Sequence, residues 1–190
     1  QNDAPIKTDM VILAIGVAPD NTLAKDANME LGIKGAIVVN DKMETSIPDI
    51  YAVGDAVLVK HLITGKEAVI SLAGPANKQG RIAADNVCGR ISRYKGSMGT
   101  SVIKLFDLTA ASVGLTEKAA KDLGYDFESV ILSPSSHAGY YPGATTMTRR
   151  VVFDKSSLKI LGAQIVGYGG VDKRIDVIAT AILAGLKATE

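Results

Sequence analysis

Ile50-Tyr51-Ala52-Val53-Gly54-Asp55-Ala56 reads as a short apolar strand that ends abruptly in Gly-Asp. In an open α/β sheet, ligands bind outside the carboxyl ends of the strands. A glycine at that edge lets a ligand approach the backbone closely. An aspartate beside it offers an acceptor to a hydroxyl-bearing molecule. Gly54 and Asp55 therefore read as a sugar- or polyol-binding corner, against the plainer alternative of a strand-to-turn Gly-Asp.

Upstream of that stretch, Asp9-Met10-Val11-Ile12-Leu13-Ala14-Ile15-Gly16 is a continuous apolar run closed by glycine, the pattern of a buried parallel strand. Ala18-Pro19-Asp20-Asn21 supplies turn chemistry. The residues from Thr22 to Leu31 predict a short helix capped by Asn21 or Thr22, and Ala36 to Val39 a further strand. Downstream, Pro75 suits the first position of a helix. Ala76, Ile82, Ala83 and Val87 give that helix an apolar face, and Gly89 is its C′ stop. Gly80 inside it costs about 1 kcal/mol relative to alanine, so close packing is expected there. Arg90 to Gly99 is a basic, glycine-containing connector and reads as a domain boundary.

The second half changes character. Ser101 to Phe106, Ser129 to Leu132, Met147 to Phe153 and Ile160 to Val166 predict strands. Thr116 to Leu123, capped by Thr116, and Val171 to Leu183 predict helices; in the latter Val171, Ile175, Ile178 and Ile182 recur at helical spacing. Asp154-Lys155-Ser156-Ser157 reads as a hairpin turn. Hairpin-linked strands with helices on one face make an α+β module.

Composition narrows the function. Lys+Arg 21 against Asp+Glu 20 gives a net charge of +1 over 190 residues, without the basic stripe of a nucleic-acid binder. A single cysteine excludes an internal disulfide framework and a cysteine-rich zinc site, and no metal site is expected. No apolar run reaches bilayer length and no secretory leader is visible; a soluble, cytoplasmic setting is the expectation. The start at Gln1, on a strand's threshold, and the finish at Glu190, just after a helix, both read as cuts from something longer.

Leu72-Ala73-Gly74-Pro75-Ala76-Asn77 feeds a loop into a helix. The first amides of a helix lack intrahelical partners and carry the positive end of its dipole. They suit a phosphate or a carbonyl-bearing ring; a simple loop-helix junction is the bland alternative.

Thr45 to Ala56 resembles the second flavin-binding motif of the pyridine nucleotide–disulfide oxidoreductases. Leu72 to Arg81 is similar to the helix that follows it in the branch containing coenzyme A-disulfide reductases, NADH oxidases and NADH peroxidases. Ser136-His137-Ala138-Gly139-Tyr140-Tyr141-Pro142-Gly143 and Lys173-Arg174-Ile175-Asp176 look most like the coenzyme A-disulfide reductases. The resemblance runs over essentially the whole chain, in order. It implies an α/β fold: a partial FAD/NAD-binding Rossmann-like region followed by an α+β dimerisation domain with an antiparallel sheet. Residues 1–20 would end the NAD(P)H-binding domain, 36–95 would be the C-terminal segment of the FAD-binding domain, and 100–190 the dimerisation domain of a homodimer.

The same resemblance implies roles. Asp55 would accept a hydrogen bond from the ribityl chain of FAD, beside Gly54, and backbone groups at Leu72 and Ala73 would meet the polar edge of the flavin ring. Gly16 would close the last strand of the nicotinamide domain, although Ala18 stands where the family often has arginine, which weakens any nicotinamide contact from that turn. Tyr141, with Tyr140 as second choice, would reach the partner subunit's active site, where a phenol can donate to a thiolate. The implied activity is NAD(P)H-dependent reduction of a disulfide, coenzyme A disulfide foremost, or of oxygen or peroxide, through FAD and an upstream cysteine. No Gly-x-Gly-x-x-Gly loop follows a strand in this sequence, so the chain alone is expected to be inactive.

Cys88 sits near the carbonyl end of its helix, where the dipole opposes a thiolate, and reads as structural. His137 and His61 read as packing or hydrogen-bonding residues, with acid–base work at His137 as the alternative. Lys173, Arg174 and Asp176 read as a solvated helix face. A non-catalytic dimerisation module of the same fold is the rival reading from another class.

Overall fold

The computed structural model describes residues 4–190. Two regions build separate cores. The first holds helix α1 (Thr22–Asp26), hairpin β1 (Leu58–Lys60) with β2 (Glu67–Val69), and helix α2 (Ala73–Val87), and its core is Met43, Val57, Val59, Ala83 and Tyr94. In the second, β3 (Ser101–Leu105), β4 (Leu108–Gly114), β5 (Phe127–Leu132), β6 (Met147–Asp154) and β7 (Ile160–Gly167) form one antiparallel sheet in the order β3-β4-β7-β6-β5. Helix α3 (Glu117–Asp122) and helix α4 (Val171–Ala184) complete it.

The central strand of that sheet is β7, paired with β4 on one side and β6 on the other. Its Ala163 and Ile165 face α4, and Ala111, Val113, Met147, Val171 and Ile175 close the core around them. The helical spacing seen in the sequence puts Val171 and Ile175 at full burial. Helix α3 starts as expected, with the Thr116 side chain accepting from the Ala119 amide at 3.1 Å, and it seats Ala120 in a satellite core with Leu115, Val152 and Leu161. Gly162 is a close-approach residue: a Cβ there would collide with the Leu115 backbone. The hairpin at 154–157 is held by Asp154, whose Oδ1 accepts from the Ser157 amide (2.7 Å), the Ser157 hydroxyl (2.6 Å) and the Ser156 hydroxyl (2.9 Å).

The first region departs from its sequence pattern. Residues 9–16 form no strand, and Ile12 and Leu13 are about four-fifths exposed (79% and 81%). A two-faced apolar strand is stable only between neighbours on both edges and layers on both faces, and no described residue supplies them. Ala36 to Val39 and Ile50 to Val53 likewise contribute isolated bridges, Ile37 to Leu31 and Val57, and Tyr51 to Glu44. The ladder starts instead at Leu58.

Helix α1 stops at Asp26, short of Leu31, because Asn28 turns to φ 56. Its Asn21 side chain does not cap it but donates to Gly35 O at 2.6 Å. Pro75 stands two residues into α2 rather than at its first position, still inside the first turn. Gly80 has open space where a Cβ would go, so no close packing explains it. Hairpin β1–β2 and strand β4 carry no clear strand pattern in the sequence. The turn into β4 uses Phe106 at φ 53, a conformation no sequence rule assigns to phenylalanine.

Between the two regions, residues 90–100 carry no helix or strand but are tied down at several points. Tyr94 is buried in the first core and its amide donates to Asp41 O at 2.6 Å. Ser97 bridges His61, and Arg93 pairs with Asp41 at 2.5 Å.

Candidate flavin corner

The stretch from Ile50 to Ala56 ends in a one-turn 3-10 segment, Gly54–Ala56. Gly54 adopts φ +86 with no heavy atom within 4 Å of where a Cβ would stand. An L side chain would be strained there, and the space above the glycine is open to a ligand. Asp55 follows with its carboxylate exposed and without a hydrogen bond to any described residue.

Helix α2 packs its first half against this turn, and the Gly54 amide donates to Gln79 Oε1 at 2.7 Å. The start of α2 has no side-chain cap. Of its orphan donors, the Leu72 amide is taken by Ile70 O at 3.1 Å, and Pro75 has no N–H. The amides of Ala73 and Gly74 remain, at the positive end of a 15-residue helix. Both Leu72 backbone groups are engaged within the chain, since its carbonyl accepts from Ala76 at 3.1 Å.

The corner therefore presents an acceptor carboxylate, an open glycine and two unpaired donors on adjoining elements. That set fits a polyhydroxylated chain ending in an electron-rich ring.

A cavity of about 590 Å³ lies beside this helix, between α2 and the 92–100 connector. It reaches Gly74 at the helix start, and Lys78, Arg81 and Lys95 give it a cationic wall over an apolar floor that includes Met98 and Leu183.

Gly16 stands apart, at φ +113 in the exposed segment, and no bridge or hydrogen bond ties it to the corner. Tyr140 and Tyr141 project from the β5–β6 loop, 86% and 62% exposed, with ring centroids 5.2 Å apart and planes tilted by 40°. No hydrogen bond joins either to Gly54 or Asp55 within the chain.

The base of their loop is clamped. Ser136 is buried, its amide donates to Thr145 O (2.8 Å), its hydroxyl accepts from the Thr145 amide (3.2 Å), and its carbonyl accepts from Arg174 Nη2 (3.2 Å). His137 Nδ1 pairs with the Ser136 hydroxyl at 3.1 Å. Arg174, read from sequence as solvated, thus ties α4 to this loop. Nearby Arg149 is held below the usual arginine range by burial and by the Arg174 charge.

Cys88 is exposed at the C-cap of α2, against the negative end of the dipole. His61 is held below the ordinary histidine range by burial. Among the described residues no cluster of three His, Cys, Asp or Glu is placed to hold a metal, and no helix is long and apolar enough to cross a membrane.

Gln79 and Tyr94 are the residues that sequence reasoning missed. Gln79 falls on the same helix face as Ala76 and Ala83, so a polar residue on the apolar stripe was the available signal.

Residues 1–80 match the family profile described as pyridine nucleotide-disulphide oxidoreductase, and residues 100–190 match that of its dimerisation domain. The chain is 40% identical over 179 residues to an NAD(P)H sulfur oxidoreductase (CoA-dependent) of Pyrococcus furiosus, covering 94% of this chain and 40% of the relative. It is 38% identical over 183 residues to the coenzyme A disulfide reductase of Staphylococcus haemolyticus, covering 96% and 41%. Among solved structures, reduced Bacillus anthracis CoADR-RHD superposes with a TM-score of 0.91 at 55% identity, over 96% of this chain and 33% of that one. The water-forming NADH oxidase from Lactobacillus brevis superposes at 0.88 with 31% identity, over 96% and 40%. The chain thus spans about 40% of the length of the curated relatives it matches.

Proposed function

The chain belongs to the pyridine nucleotide-disulphide oxidoreductase family, and on that footing we propose that it is the C-terminal part of a flavin-dependent NAD(P)H oxidoreductase whose FAD seats on the Gly54–Asp55 corner. The observation that carries this is the juxtaposition of the open Gly54 turn, the unpartnered Asp55 carboxylate and the free amides at the start of α2. FAD held there would supply the redox chemistry between reduced nicotinamide and a disulfide or oxygen acceptor.

This chain's share is binding and electrostatics. Asp55 accepts from a ribityl hydroxyl. Ala73 and Gly74 donate to the polar edge of the ring, where the helix dipole favours the negative charge of the reduced state. The family resemblance places Leu72 beside Ala73 at that edge; the engaged Leu72 backbone moves the assignment one residue on, to Gly74. Gly16 keeps the turn that closes the nicotinamide domain. The domain limits are 1–20, 36–95 and 100–190, supported by two separate hydrophobic cores joined through the 90–100 connector.

For the acceptor we favour coenzyme A disulfide. Relatives named as coenzyme A disulfide reductases support this, as does the cationic wall of Lys78, Arg81 and Lys95, which suits a polyphosphate-bearing molecule. In a homodimer the protruding Tyr141, backed by Tyr140, reaches the partner's site as a proton donor to sulfur.

The test is the full gene product purified with its flavin. Asp55→Ala weakens FAD binding by about tenfold or more, the loss of a charge-assisted hydrogen bond, read by flavin fluorescence on dilution. Unchanged flavin retention sinks the corner. Tyr141→Phe lowers kcat on disulfides by about 10²-fold, the scale of general acid catalysis, with FAD content intact. A variant that keeps full rate on every disulfide removes Tyr141 from the site.

A further inference from the structure

Gln79 is 1% exposed, one of two buried polar residues among those described. Its Oε1 accepts from the Gly54 amide at 2.7 Å. With that oxygen committed, the side chain's Nε2 is left as donor, in the core that Tyr94 of the connector also enters. Tyr94 is itself 9% exposed and anchored through its amide to Asp41 O at 2.6 Å, while the Ser97 amide donates to Lys60 O at 3.0 Å. The Gly54 amide is thus held from α2 by a buried side chain, and the connector packs on the same core through Tyr94.

We propose that Gln79 is the positioning residue of the Gly54–Asp55 corner, holding the one amide that sets where the Asp55 carboxylate stands. The proposal rests on the flavin-corner reading. Its physical basis is a conflict within the corner itself. Gly54 has no Cβ and meets no neighbour above it, which admits a ligand but also removes the steric restraint on its own torsions. A partly buried N–H left without its partner favours rotation of its peptide toward another acceptor or solvent, and Asp55 would swing with it. Gln79 supplies the restraint the glycine lacks. Burial at 1% exposure in turn holds the rotamer of Gln79, which has no solvent into which to swing.

The test pairs Gln79→Leu, which keeps volume and removes the acceptor, with Gln79→Glu, which keeps an acceptor oxygen. Val59→Ala is the control, loosening the same core without touching the corner. In the full gene product, amide exchange in the peptide spanning Gly54, followed by mass spectrometry, speeds up about tenfold or more in Gln79→Leu beyond what Val59→Ala produces. In the flavin-loaded full gene product, Gln79→Leu raises the FAD dissociation constant about tenfold, Gln79→Glu restores it to within about threefold, and Val59→Ala leaves it unchanged.

Equal exchange at Gly54 in Gln79→Leu and Val59→Ala overturns the proposal. So does faster exchange with unaltered FAD affinity while Asp55→Ala still loses flavin; in that case the corner reading survives. If neither Asp55→Ala nor Gln79→Leu moves FAD affinity, the corner reading itself has failed and the proposal falls with it.

Discussion

Two stretches of this chain are almost equally apolar, and only one is a strand. Residues 9–16 and β7 (Ile160–Gly167) both run through Ile, Leu, Val and Ala and both end in glycine. In β7, Ala163 and Ile165 are at most 1% exposed, because β4 and β6 flank it and α4 covers it. In 9–16, Leu13 and Ile15 are 81% and 93% exposed, because nothing described lies alongside. Composition specifies that a segment will be buried if neighbours exist. It does not specify the neighbours.

The comparison breaks most sharply at its two isoleucines. Ile165→Ala should cost about 2–5 kcal/mol, the range for truncating a buried core side chain, and Ile12→Ala in the same protein should stay within about 0.5 kcal/mol. Urea denaturation monitored by circular dichroism separates them. A comparable loss at Ile12 would mean that the segment packs in solution after all.

A smaller effect tests whether local signals in the sheet region act as they read. Thr116→Ala removes the cap of α3 and should cost about 1 kcal/mol, with Thr116→Asp near neutral. Equal stability of Thr116→Ala and the parent would show that tertiary contacts alone hold that helix.

The smallest effect is a pH term at the β6–β7 turn. Hydrogen bonds from the Ser157 side chain and backbone, then from Ser156, lower the Asp154 pKa from 3.8 to about 2. A depressed carboxyl pKa contributes stability that is complete above the unfolded-state value and is lost as pH falls through the folded one. Asp154→Asn should therefore flatten the melting-temperature profile between about pH 4 and pH 2 and leave the rest parallel. An unchanged slope in that window would remove the turn from the acid response.

The same contrast explains what was legible. Strands β5, β6 and β7, helices α3 and α4 and the 154–157 turn were readable because their partners lie within these 190 residues. Strand β4 escaped because Thr109-Ala110-Ala111-Ser112 is built of small residues and its turn bends at Phe106, without a glycine. At the corner, Gly-Asp and the Pro-containing helix start were visible as chemistry. Gln79 was not, because the apolar surroundings that make a buried amide meaningful come from Tyr94 and Val57, far along the chain.

One feature of the second region bears on assembly. The loop carrying Tyr140 and Tyr141 is fastened at its root by Ser136, Thr145 and Arg174, while the two rings at its tip stand in solvent. Ordering a mobile loop is a large part of the free-energy cost of forming a contact. Here the backbone cost has already been met during folding, and each ring has only two torsions left to settle. A surface that meets the tip therefore has less backbone left to order than it would with an unfastened loop. Because its root is bonded to α4, a displacement of that helix would be felt at the rings.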